Sequence, residues 1–203
     1  MADWILQNGD LEKVFIDESG FRLWIKRSYG RSLRGERAIR VVNARGGGHM
    51  SVIFAVSQVT GLVHHDFVEG GFRADRFNSF LETISNIMAN RNVVFIFDNA
   101  PTHNRAHEAS LEVGHHYRFQ PPYSPFLNIC EGCFSIWTAA FKQSMADVRD
   151  HLFIQQHANR VATMMQIAEQ SVSSVTLLTT VLNLVSHLMS VFPQCIREED
   201  IAA

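Results

Sequence analysis

The chain reads as an α/β protein, and three observations predict that class. Two short apolar runs of strand character each end in an aspartate, Val14-Phe15-Ile16-Asp17 and Val93-Val94-Phe95-Ile96-Phe97-Asp98. Between them the apolar period changes from two to the helical 3.6, at Phe77, Phe80, Leu81, Ile84, Ile87 and Met88. From Asn128 onward the pattern is helical, with no further strand signal.

The elements follow in order. Residues 13–18 form the first strand, and 22–29 and 38–43 are weaker strands around a Gly/Arg-rich turn. Residues 50–57 and 62–68 make a strand pair with its turn at Thr60-Gly61. The helix carrying Phe77 to Met88 has Asp75 near its start as a cap. A strand over 92–98 comes next. The intervening helix is long enough for a crossover, so this strand can lie parallel to and beside the first. A short helix after Thr102, a short strand over 117–120 and the turn Pro121-Pro122-Tyr123-Ser124-Pro125 lead to helices over 128–145, 148–169 and 172–190.

This order brings Asp17 and Asp98 to one end of the sheet. Each shares a face with the residue two before it, Phe15 and Ile96 respectively. A third acid, Glu131, follows the proline turn. With a helix starting near Asn128, Glu131 projects with Asn128 and Ser135, while Cys130, Cys133 and Trp137 turn elsewhere. A carboxylate at a sheet rim is costly to desolvate unless a cation or hydrogen bonds compensate it. Singly, such acids are more often structural than functional. Together the three make a cation-binding cluster, whose hard oxygen donors suit Mg2+ or Mn2+ better than zinc. Joint ligation of two ions requires the three side chains to lie within roughly 10 Å of one another. Glu18 points to the opposite face from Asp17 and is excluded, and His64-His65 and His115-His116, without ligand spacing, read as surface or strand-edge histidines.

The segments flanking the acids carry a resemblance. Phe15-Ile16-Asp17-Glu18-Ser19-Gly20-Phe21, Asp98-Asn99-Ala100-Pro101-Thr102-His103 and the block from Pro121 through Asn128-Ile129-Cys130-Glu131 resemble the three signature blocks of the DDE superfamily endonuclease domain. Transposases of the Tc1/mariner and IS630-like group are nearest in pattern. The blocks stand in the family's order, with 80 residues between Asp17 and Asp98 and 32 between Asp98 and Glu131. The likeness covers residues 12–145. Members commonly read Asn-Pro-Ile-Glu in the last block, whereas this chain has Asn128-Ile129-Cys130-Glu131.

The resemblance implies a ribonuclease H-like fold, a central mixed sheet flanked by helices with extra C-terminal helices. It also implies a DNA endonuclease and strand-transfer activity through two Mg2+ or Mn2+ ions. Asp17 would bridge both ions, Asp98 hold one and Glu131 the other, with Asn99 and His103 behind them to orient Asp98 or touch a phosphate. An alternative reading is a domesticated or truncated relic that binds DNA or protein without turnover. A ribonuclease acting on RNA or hybrids would be expected to show a fourth acid, for which the sequence offers no clear candidate.

With 203 residues and 46% hydrophobic content, the chain can bury a core as one domain, a catalytic unit over about 12–145 and a helical extension over 146–192. Three cysteines, an odd number, point to reduced thiols and an intracellular protein, in the nucleus if eukaryotic and otherwise in the cytoplasm or nucleoid. No signal peptide opens the chain, and polar residues interrupt the apolar stretch over 172–192, so no membrane association is expected. The net charge of −2 hides an asymmetry. Arg22, Lys26, Arg27, Arg31, Arg34, Arg37, Arg40 and Arg45 place 8 of the 18 basic residues in 24 positions, against one acid, Glu36. Such an arm, with Trp24 and Tyr29 interleaved, suits DNA phosphates or a partner subunit. In the resembled family this interval is a hairpin that holds a homodimer on DNA. Only sixteen residues precede Asp17, too few for a helix-turn-helix module, so the expectation is a catalytic fragment, a truncated element copy, or a domesticated derivative that relies on a separate DNA-targeting protein.

Overall fold

The computed structural model describes residues 10–22, 31–39, 49–120, 128–152 and 156–172. Five strands form one sheet in the order β3-β2-β1-β4-β5. They are β1 (Glu12–Arg22), β2 (His49–Ser57), β3 (Gly61–Glu69), β4 (Val93–Phe97) and β5 (His115–Phe119). The first three form an antiparallel meander, whereas β4 runs parallel to β1 and β5 parallel to β4. The sheet is mixed because the helix α1 (Ala74–Ile87) intervenes between β3 and β4 and returns the chain to the same end.

Alternation along the strands splits the interior into two layers. Val14 and Ile16 of β1, with Phe95 and Phe97 of β4, pack against Phe77, Phe80, Leu81 and Ile84 of α1. Phe15 of β1 and Val94 and Ile96 of β4 face the other way, toward Trp137 and Phe141 of α2 (Ile129–Leu152) and Met164 and Ile167 of α3 (His157–Val172). Every residue of β4 is buried, so this strand reads as an unbroken apolar run. Trp137 and Phe141 stack at 5.3 Å, and both meet the edge of Phe21, whose burial carries the core to the far end of β1. The architecture is the ribonuclease H-like α/β fold, with helices on both faces.

Several boundaries differ from the sequence reading. The strand expected over 13–18 runs on to Arg22, because β2 pairs along its whole length, down to Arg22 opposite His49. Strand β4 stops at Phe97 and leaves Asp98 just outside it. The strand expected over 117–120 begins earlier, at His115, in register with Val93. Asp75 lies inside the first turn of α1, where its charge suits the helix dipole, and Arg73 occupies the cap position without a side-chain cap bond. The helices expected over 128–145 and 148–169 are instead Ile129–Leu152 and His157–Val172; no glycine or proline stands near residue 146 to end a helix there. The turn at Thr60-Gly61 is present, with Gly61 at φ 79° and Ser57 Oγ accepting the N–H groups of Val59 and Thr60. His115 is a buried core residue and not a surface one: Ser85 Oγ lies 2.7 Å from its Nδ1 and its Nε2 lies 3.2 Å from the Met88 carbonyl. The strand over 22–29 beyond Arg22, the greater part of 38–43, the proline turn and the helix over 172–190 beyond Val172 lie outside the described residues, while Ala38 and Ile39 are described and are not in a strand.

Candidate active site where β1 and β4 set Asp17 and Asp98 level

The register of the two parallel strands aligns the aspartates. Phe15 lies opposite Ile96, so Asp17 and Asp98, each two residues further on, come to the same end of the sheet. Strand β1 continues there beside β2 alone, whereas the chain after Phe97 turns away into the loop before the 3-10 turn His103–Glu108. Asp17 therefore sits part-buried on a strand and Asp98 stands exposed at a strand end.

Asp17 is held by two donors. The Glu18 N–H donates to Oδ1 at 2.7 Å and the Asn128 side chain donates from Nδ2 to Oδ2 at 2.8 Å. Asn128, 6% exposed, also accepts the Cys130 N–H on Oδ1 at 3.0 Å. That is the bond an N-cap asparagine makes to its helix. One amide thus starts α2 and docks it on Asp17, which the missing proline of the last sequence block does not prevent. The sequence placed Asn128 on the face of Glu131 without giving it a role at the site. An asparagine immediately before an apolar helix was the available signal.

Glu131 lies in the first turn of α2 and is exposed, as is Ser135, while Ile129, Cys130, Cys133 and Trp137 point into the core. Its charge is felt at Asp17. Burial chiefly pushes the Asp17 carboxyl from 3.8 up to about 7, the Glu18 N–H opposes this, the negative charges of Asp98 and Glu131 add to it, and His103 opposes it. Asp17 is consequently an under-compensated carboxylate with two others nearby. Among the described residues no three His, Cys, Asp or Glu side chains are already gathered to hold a metal ion. The expected three-acid cluster is thus not drawn together, but the donor type fits: Asp17 and Asp98 stand level on β1 and after β4, Glu131 lies in the first turn of α2, and carboxylate oxygens are the donors a hard divalent ion takes.

Asp98 is occupied differently. Its Oδ1 accepts the Ala100 N–H at 3.0 Å and lies 2.7 Å from His103 Nδ1. The same nitrogen is 3.3 Å from the Asp98 carbonyl, the longer and weaker of the two contacts. His103 is 2% exposed and stacks on Phe77 at 4.0 Å. Its hydrogen bond draws Asp98 below the ordinary carboxylate range. Burial alone would lower the His103 pKa, but the bonds to Asp98 and Glu18 outweigh it and raise it to about 9.

Two expectations need correction. Glu18 does face away from Asp17, yet it is joined to the site, because its Oε1 lies 3.1 Å from His103 Nε2. Strand alternation correctly separates the neighbours; it carries no information about a histidine reaching the second face from a distant turn. Asn99 is not directed at the carboxylates: its Nδ2 donates to the Gln120 carbonyl at 3.3 Å and fastens the end of β4 to the end of β5.

Of the basic arm, Arg31, Arg34 and Arg37 are exposed on a turn closed by the Glu36 N–H to Leu33 carbonyl bond at 3.0 Å, with Gly35 at φ 94°. No ion pair joins these three arginines to other described residues. Arg22 ends β1, and Lys26, Arg27, Arg40 and Arg45 lie outside the described residues.

Comparison with known proteins gives the family and the fold. The DDE superfamily endonuclease family matches residues 12–152, and the chain belongs to that family. Among solved structures, the fold is similar to the Mos1 strand transfer complex, with a TM-score of 0.62, 18% identity, and 97% of this chain and 57% of that chain covered. It is likewise similar to the Mos1 mariner paired end complex with Mn, with a TM-score of 0.63, 15% identity, and 97% and 58% covered. A paired end complex of Mos1 with Mg gives a TM-score of 0.56 at 18% identity, covering 92% and 55%. The chain thus spans less than three fifths of the length of these solved chains. No curated protein matches it. Among the described residues no helix is long and apolar enough to cross a membrane.

Proposed function

We propose that the chain is a transposase catalytic domain of the mariner type, cutting DNA phosphodiesters and joining the freed 3′-hydroxyl to a second DNA. The carrying observation is the register of β1 and β4, which sets Asp17 and Asp98 level while Asn128 docks the first turn of the Glu131 helix on Asp17; the push of Asp17 up to about 7 by burial and by Asp98 and Glu131 is in keeping with it. Asp17, Asp98 and Glu131 would hold the ions, two Mg2+ or Mn2+, and solved Mos1 complexes with Mn and with Mg support that choice. When bound, such a pair activates a water and steadies the leaving oxygen.

The chain's own residues supply the frame. Strands β1 and β4 set the two aspartates level, Asn128 docks the Glu131 helix on Asp17, and His103 restrains Asp98. The exposed arginines of the arm would contact phosphate. Work on DNA as a homodimer is supported by the paired end and strand transfer complexes of Mos1. The domain would act on intracellular DNA, with the catalytic unit reaching to Leu152, where α2 ends, and not to residue 145.

The test is nicking of supercoiled plasmid with Mg2+ or Mn2+. Asp98→Asn, nearly isosteric, should reduce nicking to background and abolish calorimetric Mn2+ binding while leaving the circular dichroism spectrum unchanged. Equal nicking by both proteins would refute the proposal. One observation favours a second reading, a non-catalytic DNA- or protein-binding relic: among the described residues no three His, Cys, Asp or Glu side chains are gathered to hold a metal ion. That reading requires a wild type that binds no Mn2+.

A further inference from the structure

His103 joins two acids that come from different parts of the chain. Its ring is sandwiched against Phe77 at 4.0 Å and 25° and meets Phe97 edge-on at 5.6 Å, so packing fixes its plane. In that plane Nδ1 lies 2.7 Å from Asp98 Oδ1 and Nε2 lies 3.1 Å from Glu18 Oε1. Carboxylate oxygens only accept, so each of these contacts needs an N–H on the ring nitrogen that faces it. Glu18 reaches the ring because β1 extends past Asp17, with Glu18 paired opposite Ile53 of β2. The ring side chain is 3% exposed and Glu18 24%, so water competes weakly for the bond.

We propose that Glu18 is a positioning residue for Asp98: it locks the His103 imidazole so that the Nδ1 hydrogen stays on Asp98 Oδ1, and thereby sets the Asp98 carboxylate for its work at the site. The inference rests on the reading of Asp98 as a site carboxylate. It differs from a merely structural ion pair in one respect. A structural pair between Glu18 and His103 would alter stability and leave Asp98 untouched.

The experiment uses isotope-labelled, metal-free protein, with the His103 ring nitrogens and the Asp98 Cγ read by nuclear magnetic resonance, followed by Mn2+ titration. Glu18→Gln keeps an acceptor oxygen but removes the charge, and Glu18→Asp withdraws the carboxylate by one methylene, which provides a second variant if the first does not fold. In each folded variant both resonances should move, and Mn2+ affinity should fall about 10-fold, the low end of the loss seen when a group behind a metal ligand is removed. An Asp98 Cγ resonance that stays in place overturns the inference, as does an unchanged Mn2+ affinity in a variant whose Asp98 resonance has moved. A wild type that binds no Mn2+ defeats the proposed function, and the Asp98 resonance still decides the role of Glu18.

Discussion

Replacing Asp17 by asparagine should stabilise the metal-free protein at pH 8 and destabilise it at pH 4. The Asp17 carboxyl titrates near 3.8 when unfolded and at about 7 when folded. Between those values the folded chain keeps a proton that the unfolded chain has lost, so stability falls as pH rises through this window and is level above it. At about 1.36 kcal/mol per pH unit the full penalty is ~4 kcal/mol, and allowance for the part of Asp17 that remains in water reduces it to ~2–3 kcal/mol.

Asparagine escapes this penalty and introduces a smaller one. Its Oδ1 can still accept the Glu18 N–H, but its amide then meets the Asn128 Nδ2 donor, and Asn128 cannot flip without giving up the Cys130 N–H. One hydrogen bond lost in this way costs about 1 kcal/mol. Above pH 7 the variant should therefore be more stable by ~1–2 kcal/mol, and near pH 4 less stable by about 1 kcal/mol. Urea unfolding followed by far-ultraviolet circular dichroism, in chelator at pH 4, 6 and 8, measures the difference. A difference that does not change with pH would mean that Asp17 is already compensated, and the case for a cation at this position would fall.

Asn128→Ala should lower stability by about 2 kcal/mol, combining a lost helix cap with a less satisfied Asp17, and thermal unfolding should drop by ~4–8 °C. Cys130 and Cys133 should resist iodoacetamide at pH 8 until urea is added, because burial pushes Cys133 up to about 12 and Cys130 well above its ordinary value; peptide mass mapping that finds both alkylated in the native protein contradicts this. DNA binding should be weak and indifferent to sequence, and changing Arg31, Arg34 and Arg37 together to alanine should flatten the log–log salt slope by about 2–3, measured by fluorescence anisotropy.

The placement of the two aspartates was legible because strand periodicity is a local signal. An apolar run ending in Asp98 and another ending in Asp17 define two sheet-rim acids, and the helix between them defines parallel neighbours. The alternation that puts Phe15 on one face and Ile16 on the other was equally readable, and the two halves of the core follow it. What escaped depends on contacts between distant residues. Glu18 and His103 are 85 positions apart, and Asp17 and Asn128 are 111 apart. No local pattern encodes the distance between them. His115 does stand on the edge strand β5, and only its exposure was misjudged, for a similar reason: an edge histidine looks exposed until Ser85 of α1 and the carbonyl of Met88 just after it meet its two nitrogens.

The double duty of Asn128 makes the first turn of α2 an indicator of events at β1. Any ligand that draws the Asp17 oxygens away from the Asn128 amide frees that side chain to rotate, and rotation removes the acceptor from the Cys130 N–H. The exchange of this single backbone hydrogen with solvent deuterium should then quicken on occupancy, while hydrogens deeper in the helix, around Trp137, keep their protection. Ligand arrival at the middle of a strand would in this way be visible as fraying at a helix start, recorded on a residue that never touches the ligand.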